Sequence, residues 1–223
     1  MTRENSSTKP GSVGHRTRVG FERRTRTRSR ILAAALRVFA EKGPDGVVID
    51  DFIREAGVAR GTFYNYFTRT DLLLVAVSES LEDDLMLSIE EAISDLQDPV
   101  SRLATGVRLW LGWVRTDPVW CAFIVRSRFR GPLVEQQINA DLKTGRRPGG
   151  FAFVNISAAR DLVVGTILEV MSRNMATPVS KAYSDAVARL ILAGLGVSSA
   201  HINQLMSMPL PRLRRPVQSV SLP

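Results

Sequence analysis

Apolar residues return every three or four positions through most of this chain, and strict alternation of apolar with polar residues is nearly absent. That period closes on one face of an α-helix, whereas a half-buried strand needs a period of two, so the chain is read as all-α. In "SRILAAALRVFAEKG" the residues Ile31, Leu32, Ala35, Leu36 and Phe39 share a face before Gly43 ends the helix. In "VIDDFIREAG" the residues Ile49, Phe52, Ile53 and Ala56 repeat the pattern, and Gly57 follows. Asp98-Pro99, Asp117-Pro118 and Thr177-Pro178 each put a capping side chain before a proline suited to a first helical turn.

Short helices followed by a longer helical series predict a small N-terminal helix-turn-helix domain over residues 25–75 and a larger C-terminal helical domain over 76–208. Residues 1–24, rich in Ser, Thr, Gly and Arg without an apolar period, are expected to form a disordered basic arm. Residues 209–223, with four prolines, are expected to form a flexible Pro/Arg tail. The net charge of +8 lies wholly in these ends: residues 1–30 hold nine basic and two acidic groups, and residues 209–223 hold three basic groups and no acid. What lies between is slightly acidic, so charge alone assigns no nucleic-acid surface to the body of the protein.

The segment "GVARGTFYNYF", residues 57–67, breaks the usual composition of a solvated helix. Read as a helix over 59–67, it turns Phe63 and Phe67 inward, with Val58 packing where the chain comes in. Asn65 then falls opposite, flanked by Gly61 and Thr62, while Arg60 and Tyr64 border the apolar stripe and Tyr66 lies at the far edge. Glu, Lys or Ala would serve a solvent face better. A helix laid in a DNA major groove needs the residues found here: Gly for close approach, Asn or Arg for base edges, Thr and Tyr for methyl groups and phosphates. Residues 49–56 and 59–67 with a glycine turn between them have the layout of a helix-turn-helix.

The stretch "VIDDFIREAGVARGTFYNYFTRTDLLL", with "ILAAALRVFAEKGPDG" before it, resembles the N-terminal DNA-binding domain of the tetracycline-repressor (TetR/AcrR) family of bacterial transcription regulators. The resemblance runs from about Thr27 to Val75. It implies DNA contacts from Arg60, Gly61, Thr62, Tyr64, Asn65 and Tyr66, with Arg69 and Thr70 at the start of the following helix. The sequence departs from the family pattern at Val47 and Val48, where threonines are frequent, at Ala59 in place of a serine cap, at Thr70 in place of a lysine, and at Ile53 in place of an alanine. These departures weaken phosphate anchoring, and the run "RRTRTRSR" over 23–30, including Arg28, is placed to compensate along the backbone or in the minor groove.

The resemblance further implies a small-molecule effector and a homodimer that reads a palindromic operator in double-stranded DNA, with repression as the default. The last strong apolar segments, 157–175 and 179–197, carry Val163, Ile167 and Val170 on one and Leu190, Ile191, Gly194 and Leu195 on the other, and these are expected at the dimer interface. The segment 107–126 concentrates Trp110, Trp113, Trp120 and Phe123, which with Met171 fit either an effector pocket or plain core. Cys121 fits a buried packing role or, if exposed, an oxidant sensor.

The two histidines, His15 and His201, lie near opposite ends, and no glycine-rich phosphate loop occurs. No metal site, cofactor or catalytic activity is therefore expected. No run of 18 uncharged apolar residues occurs, and the first residues are polar and basic, which predicts a cytoplasmic protein without a membrane partner. The alternative to a ligand-responsive regulator is an architectural DNA-binding protein without a ligand switch.

Overall fold

A computed structural model describes residues 12–43, 46–127 and 132–214. Among them the regular structure is entirely helical: α1 (Ser12–Lys42), α2 (Ile49–Ala56), α3 (Arg60–Tyr64), α4 (Thr70–Ala92), α5 (Pro99–Val114), α6 (Pro118–Ser127), α7 (Pro132–Gly145), α8 (Ile156–Ala176), α9 (Lys181–Gly194) and α10 (Ser199–Ser207). The chain divides into two compact units, residues 1–73 and 74–223, with the boundary inside α4. No described helix is long and apolar enough to cross a membrane.

The first unit is built on phenylalanine. Phe39 of α1 lies 4.9 Å from Phe52 of α2, ring centroid to ring centroid, and Phe52 lies 6.5 Å from Phe63 of α3. Phe67 extends the series at 6.3 Å from Phe63, and all four rings are buried. Gly57 ends α2 in the left-handed conformation, with φ +59°, where a side chain would be strained. Val48 stands at the start of α2 and has no side-chain acceptor, but Asp51 Oδ2 accepts from the Val48 N–H at 3.2 Å. Half of a reciprocal cap therefore survives without the threonine.

Residues 12–24, expected to be disordered, are instead the first turns of α1. The buried stretch from Ile31 to Phe39 supplies the nucleus, and extending a nucleated helix upstream costs little. Arg18 and Glu22 form an i,i+4 ion pair at 3.3 Å on this extension. Residues 1–11 of the expected arm and 215–223 of the expected tail lie outside the described residues; 209–214 have no regular structure.

In the second unit α5 is central and packs on α6, α7, α8, α9 and α10. Asp98 caps it by accepting from the Ser101 N–H at 2.9 Å, and Asp117 does the same for Trp120 in α6 at 2.8 Å. Thr177 instead follows the last turn of α8, and Ser180 caps α9, accepting from the Tyr183 N–H at 3.1 Å. Asn174, buried near the end of α8, donates to the Val114 carbonyl at 2.8 Å and accepts from the Val179 N–H at 3.0 Å, tying α5 and α8 to the turn into α9. Arg108 donates to the carbonyls of Leu205, Met206 and Met208, which satisfies the open end of α10.

Candidate nucleic-acid interface and ligand cavity

The stacked phenylalanines orient α3. With Phe63 and Phe67 held inside, Gly61, Tyr64 and Asn65 are on the surface, and Thr62 and Tyr66 are half-buried. The helix is shorter than the expected 59–67: it stops at Tyr64, with Asn65 as its C-terminal cap residue. Tyr66 N–H still bonds to the Phe63 carbonyl at 2.9 Å and Phe67 N–H to the same oxygen at 3.0 Å, so the helical path persists for one more turn. A Cβ built on Gly61 meets nothing within 4 Å, and its backbone is not in the left-handed region. The fold itself therefore gives no reason for glycine at 61.

Around this face, Arg24, Thr62, Asn65 and Tyr66 line a shallow concavity. The Tyr66 hydroxyl donates to the Arg24 carbonyl at 3.3 Å, linking α3 to the upstream part of α1. Arg28 lies over the Phe67 ring at 6.0 Å, and Arg30 donates to the Gly57 carbonyl at 3.3 Å. Arg23, Arg24 and Arg26 form no ion pair with another described residue, so the extension of α1 presents open positive charge beside α3. Arg60 pairs with Asp50 at 2.8 Å and Arg69 with Asp71 at 2.5 Å. Both pairs are solvated, and exposed ion pairs of this kind are weak enough to exchange for phosphate. Thr70 opens α4, half-buried.

The second unit encloses a cavity of about 60 Å³ between α4, α5, α7 and α8. Its walls are mostly aliphatic, and Trp110 and Met171 contribute to them. Trp113, Trp120 and Phe123, expected beside them, do not line it. Trp120 is core, its ring 5.8 Å from Trp110 and its Nε1 donating to the Leu81 carbonyl at 3.5 Å. Phe123 is buried, and Trp113 is half-buried away from the cavity. Closeness in sequence brought Trp110 and Trp120 into contact, but each successive residue on a helix turns by 100°, so only some of these rings face a given space.

One end of the cavity is charged, which the sequence reading missed. Arg102 of α5 pairs with Glu90 of α4 at 2.5 Å and with Asp141 of α7 at 3.1 Å. Burial pushes the Asp141 carboxyl above its ordinary value despite the guanidinium beside it. Burial works against the charge on Arg102, but Asp141 and Glu90 outweigh it and raise its value further. These three residues come from three helices, and no spacing in the sequence joins them.

The expected dimer surface needs correction. Val163 and Leu195 are fully buried within the chain, and Ile167, Val170 and Ile191 are also core. Leu190 stands 70% exposed, and Leu162, absent from the expected set, is 37% exposed. Gly194 is on the surface, but a Cβ there would come within 2.7 Å of Leu162 Cδ2, so its smallness serves α8–α9 packing inside the chain.

The sequence pattern of the family described as bacterial regulatory proteins, tetR family, matches residues 31–77. The HTH-type transcriptional regulator YvdT of Bacillus subtilis is 46% identical over 52 residues, 23% of this chain and 27% of that protein. An HTH-type transcriptional regulator of Mycobacterium tuberculosis is 31% identical over 99 residues, 44% of this chain and 49% of that protein. The chain thus spans about half the length, or less, of these curated relatives. Among solved structures, RolR in complex with resorcinol is similar with a TM-score of 0.70 and 25% identity, covering 86% of this chain and 99% of that one. FadR from Bacillus subtilis in complex with stearoyl-CoA shares the fold at a TM-score of 0.59 and 22% identity, covering 74% of this chain and 98% of that one. Residues 31–77 thus carry the helix-turn-helix domain of the tetR family of bacterial regulatory proteins, and the chain shares its fold with RolR over 86% of its own length.

Proposed function

We propose that the protein is a ligand-responsive, sequence-specific repressor that binds a palindromic operator as a homodimer and leaves it when a small molecule occupies the cavity of the second unit. The observation that carries the DNA-reading part is Gly61, a glycine on an exposed helical face where a side chain would meet nothing within 4 Å of its own protein. It stands one residue before Thr62 and four before the exposed Asn65, and a duplex backbone or base edge is the partner that would need such a gap. Arg23, Arg24, Arg26 and Arg28 on α1 and Arg60 and Arg69 around α3 supply phosphate contacts. A lone reading helix discriminates poorly, so pairing through the outer faces of α8 and α9, with Leu162 and Leu190, gives two half-sites about 34–36 Å apart or the next multiple.

The cavity supports the switch. RolR with resorcinol and FadR with stearoyl-CoA are each solved with a small ligand, and both share this fold. A ligand that favours one spacing of the reading helices over another releases the operator, and a coupling of about 1–3 kcal/mol, roughly 5–150-fold, is enough. The test is selection of bound fragments from a random duplex pool by the purified protein. Enrichment of a palindrome with that spacing, lost in Asn65→Ala while the dimer persists, supports the proposal. Retention of the pool without enrichment would support an architectural DNA binder in its place.

A further inference from the structure

The charged end of the cavity restricts what the cavity can hold. Arg102 would be the natural partner for an acidic ligand, but its nitrogens are already engaged: Nη2 with Glu90 Oε2 at 2.5 Å, Nε with Asp141 Oδ1 at 3.1 Å, and Nη1 with the carbonyls of Ile93 and Leu96 at 3.3 and 3.4 Å. One guanidinium faces two carboxyl groups, of which burial favours the neutral form of Asp141, and Glu82 adds a further buried carboxyl to the lining, so acidic groups outnumber basic ones here. A carboxylate brought into this space meets acidic groups in a poorly screened site, and Arg102, the one cation among the described lining residues, is already engaged.

Two polar atoms of the lining residues are unmet. Glu90 Oε1 and Trp110 Nε1 are both buried without a hydrogen-bond partner, and the Trp110 side chain is more than nine-tenths buried. One is an acceptor and the other a donor. Leaving either unpaired disfavours the empty state relative to a ligand that can supply the missing partner. The remaining walls are mostly aliphatic and sulfur-bearing side chains such as Ile89, Val107, Ile138 and Met171, with Glu135 and Gln137 of α7 beside them. Together they bound the space of about 60 Å³.

We propose that the cavity takes a compact, uncharged, hydroxyl-bearing apolar molecule, a phenol being the simplest, whose hydroxyl donates to Glu90 Oε1 while a second oxygen accepts from Trp110 Nε1, and that it rejects carboxylates of the same size. The proposal rests on reading this cavity as the effector site. An ammonium ligand satisfies Glu90 but leaves Trp110 without an acceptor and must shed its hydration against an aliphatic wall.

The test is isothermal titration calorimetry of the full chain with three rings of equal size: resorcinol, benzoate and benzylamine. Resorcinol is expected to bind at least about tenfold more tightly than either of the others, the difference one hydrogen bond to a charged group makes. In Glu90→Gln an amide N–H₂ replaces the free acceptor and one negative charge disappears, so resorcinol is expected to weaken and benzoate to gain. Trp110→Phe keeps the ring packing and removes only the donor, and it too is expected to weaken resorcinol. Tighter binding of benzoate or benzylamine overturns the proposed chemistry while leaving the cavity as the effector site. An unchanged ranking in both variants does the same. Binding by none of the three overturns both.

Discussion

The rings of Phe52 and Phe63 lie within 9° of parallel with their centroids 6.5 Å apart, so α3 is held on α2 by an offset stack. Phe39 closes on Phe52 from the side of α1, and Phe67 continues beyond Phe63. The reading face is aimed by this buried series. Phe63→Ala is expected to cost about 3–5 kcal/mol of stability, the usual range for a buried phenylalanine. Operator binding is expected to disappear with it, although Phe63 is 1% exposed and touches no nucleic acid. Thermal unfolding and a gel-shift titration of the same variant check the two halves; intact binding by a destabilised variant would show that the stack does not aim α3.

Gly61 and Gly57 lie four positions apart and answer to different demands. Gly57 has φ +59°, so Gly57→Ala strains the turn and is expected to cost about 1–2 kcal/mol. Gly61 has free space around it, so Gly61→Ala is expected to leave stability unchanged or raise it by about 0.5–1 kcal/mol through better helix propensity. Affinity for the selected operator is expected to fall, because the added methyl group occupies room reserved for the duplex. Equal affinity in Gly61→Ala would remove the main support for the DNA-reading face.

The inward turn of Phe63 and Phe67 could be read from the sequence because a four-residue spacing fixes a helical face whatever packs on it. The length of α3 could not, since Asn65 can end a helix or continue it, and only the surroundings decide. The dimer residues failed for a related reason. Helices α8 and α9 are apolar on more than one side, and periodicity marks Val163 and Ile191 as buried without saying whether the same chain or a partner covers them. Low hydrophobicity of residues 12–24 argued for disorder, but it ignored the nucleus supplied downstream by Ile31 to Phe39. The pairing of Arg102 with Asp141 joins residues on helices far apart in sequence, and nothing local announces it.

Acid should weaken the first unit through Asp51. A hydrogen bond from Lys42 and the Val48 N–H, assisted by the charge of Arg54, holds its carboxyl below the ordinary 3.8 in spite of burial. The folded value is below the unfolded one, so the stabilisation is fully present above about pH 4–5 and is lost as pH falls through the folded value. The melting-temperature difference between wild type and Asp51→Asn is expected to be largest near neutral pH and to shrink below pH 4. A difference that stayed constant down to pH 2 would remove Asp51 from the acid response.

Cys121 is fully buried, its Sγ 3.5 Å from the Val114 carbonyl, and burial pushes its thiol up to about 12. Asp117 adds to the rise, and Asn174 opposes it. Thiolate is the reactive form, so the native protein should resist thiol-modifying reagents at pH 7–8 and react only on unfolding. Mass spectrometry after brief exposure to iodoacetamide, with and without denaturant, measures this. Rapid labelling of the native state would mean that the segment around α6 opens readily, and the oxidant-sensing role would return.

Leu190 and Val163 separate the two roles that an apolar residue on α8 or α9 can have. Leu190 is 70% exposed, whereas Val163 is fully buried. If the outer faces of α8 and α9 pair across a twofold axis, Leu190→Glu puts a carboxylate beside its own symmetry mate and should yield a monomer of 24.6 kDa that melts as a folded protein. Val163→Ala should do the reverse: it removes core volume, lowers the melting temperature, and leaves the dimer mass unchanged. Light scattering during size-exclusion chromatography reads both masses. A Leu190→Glu protein that stays dimeric would move the interface elsewhere, and a wild-type protein already monomeric at micromolar concentration would end the two-half-site reading of the operator.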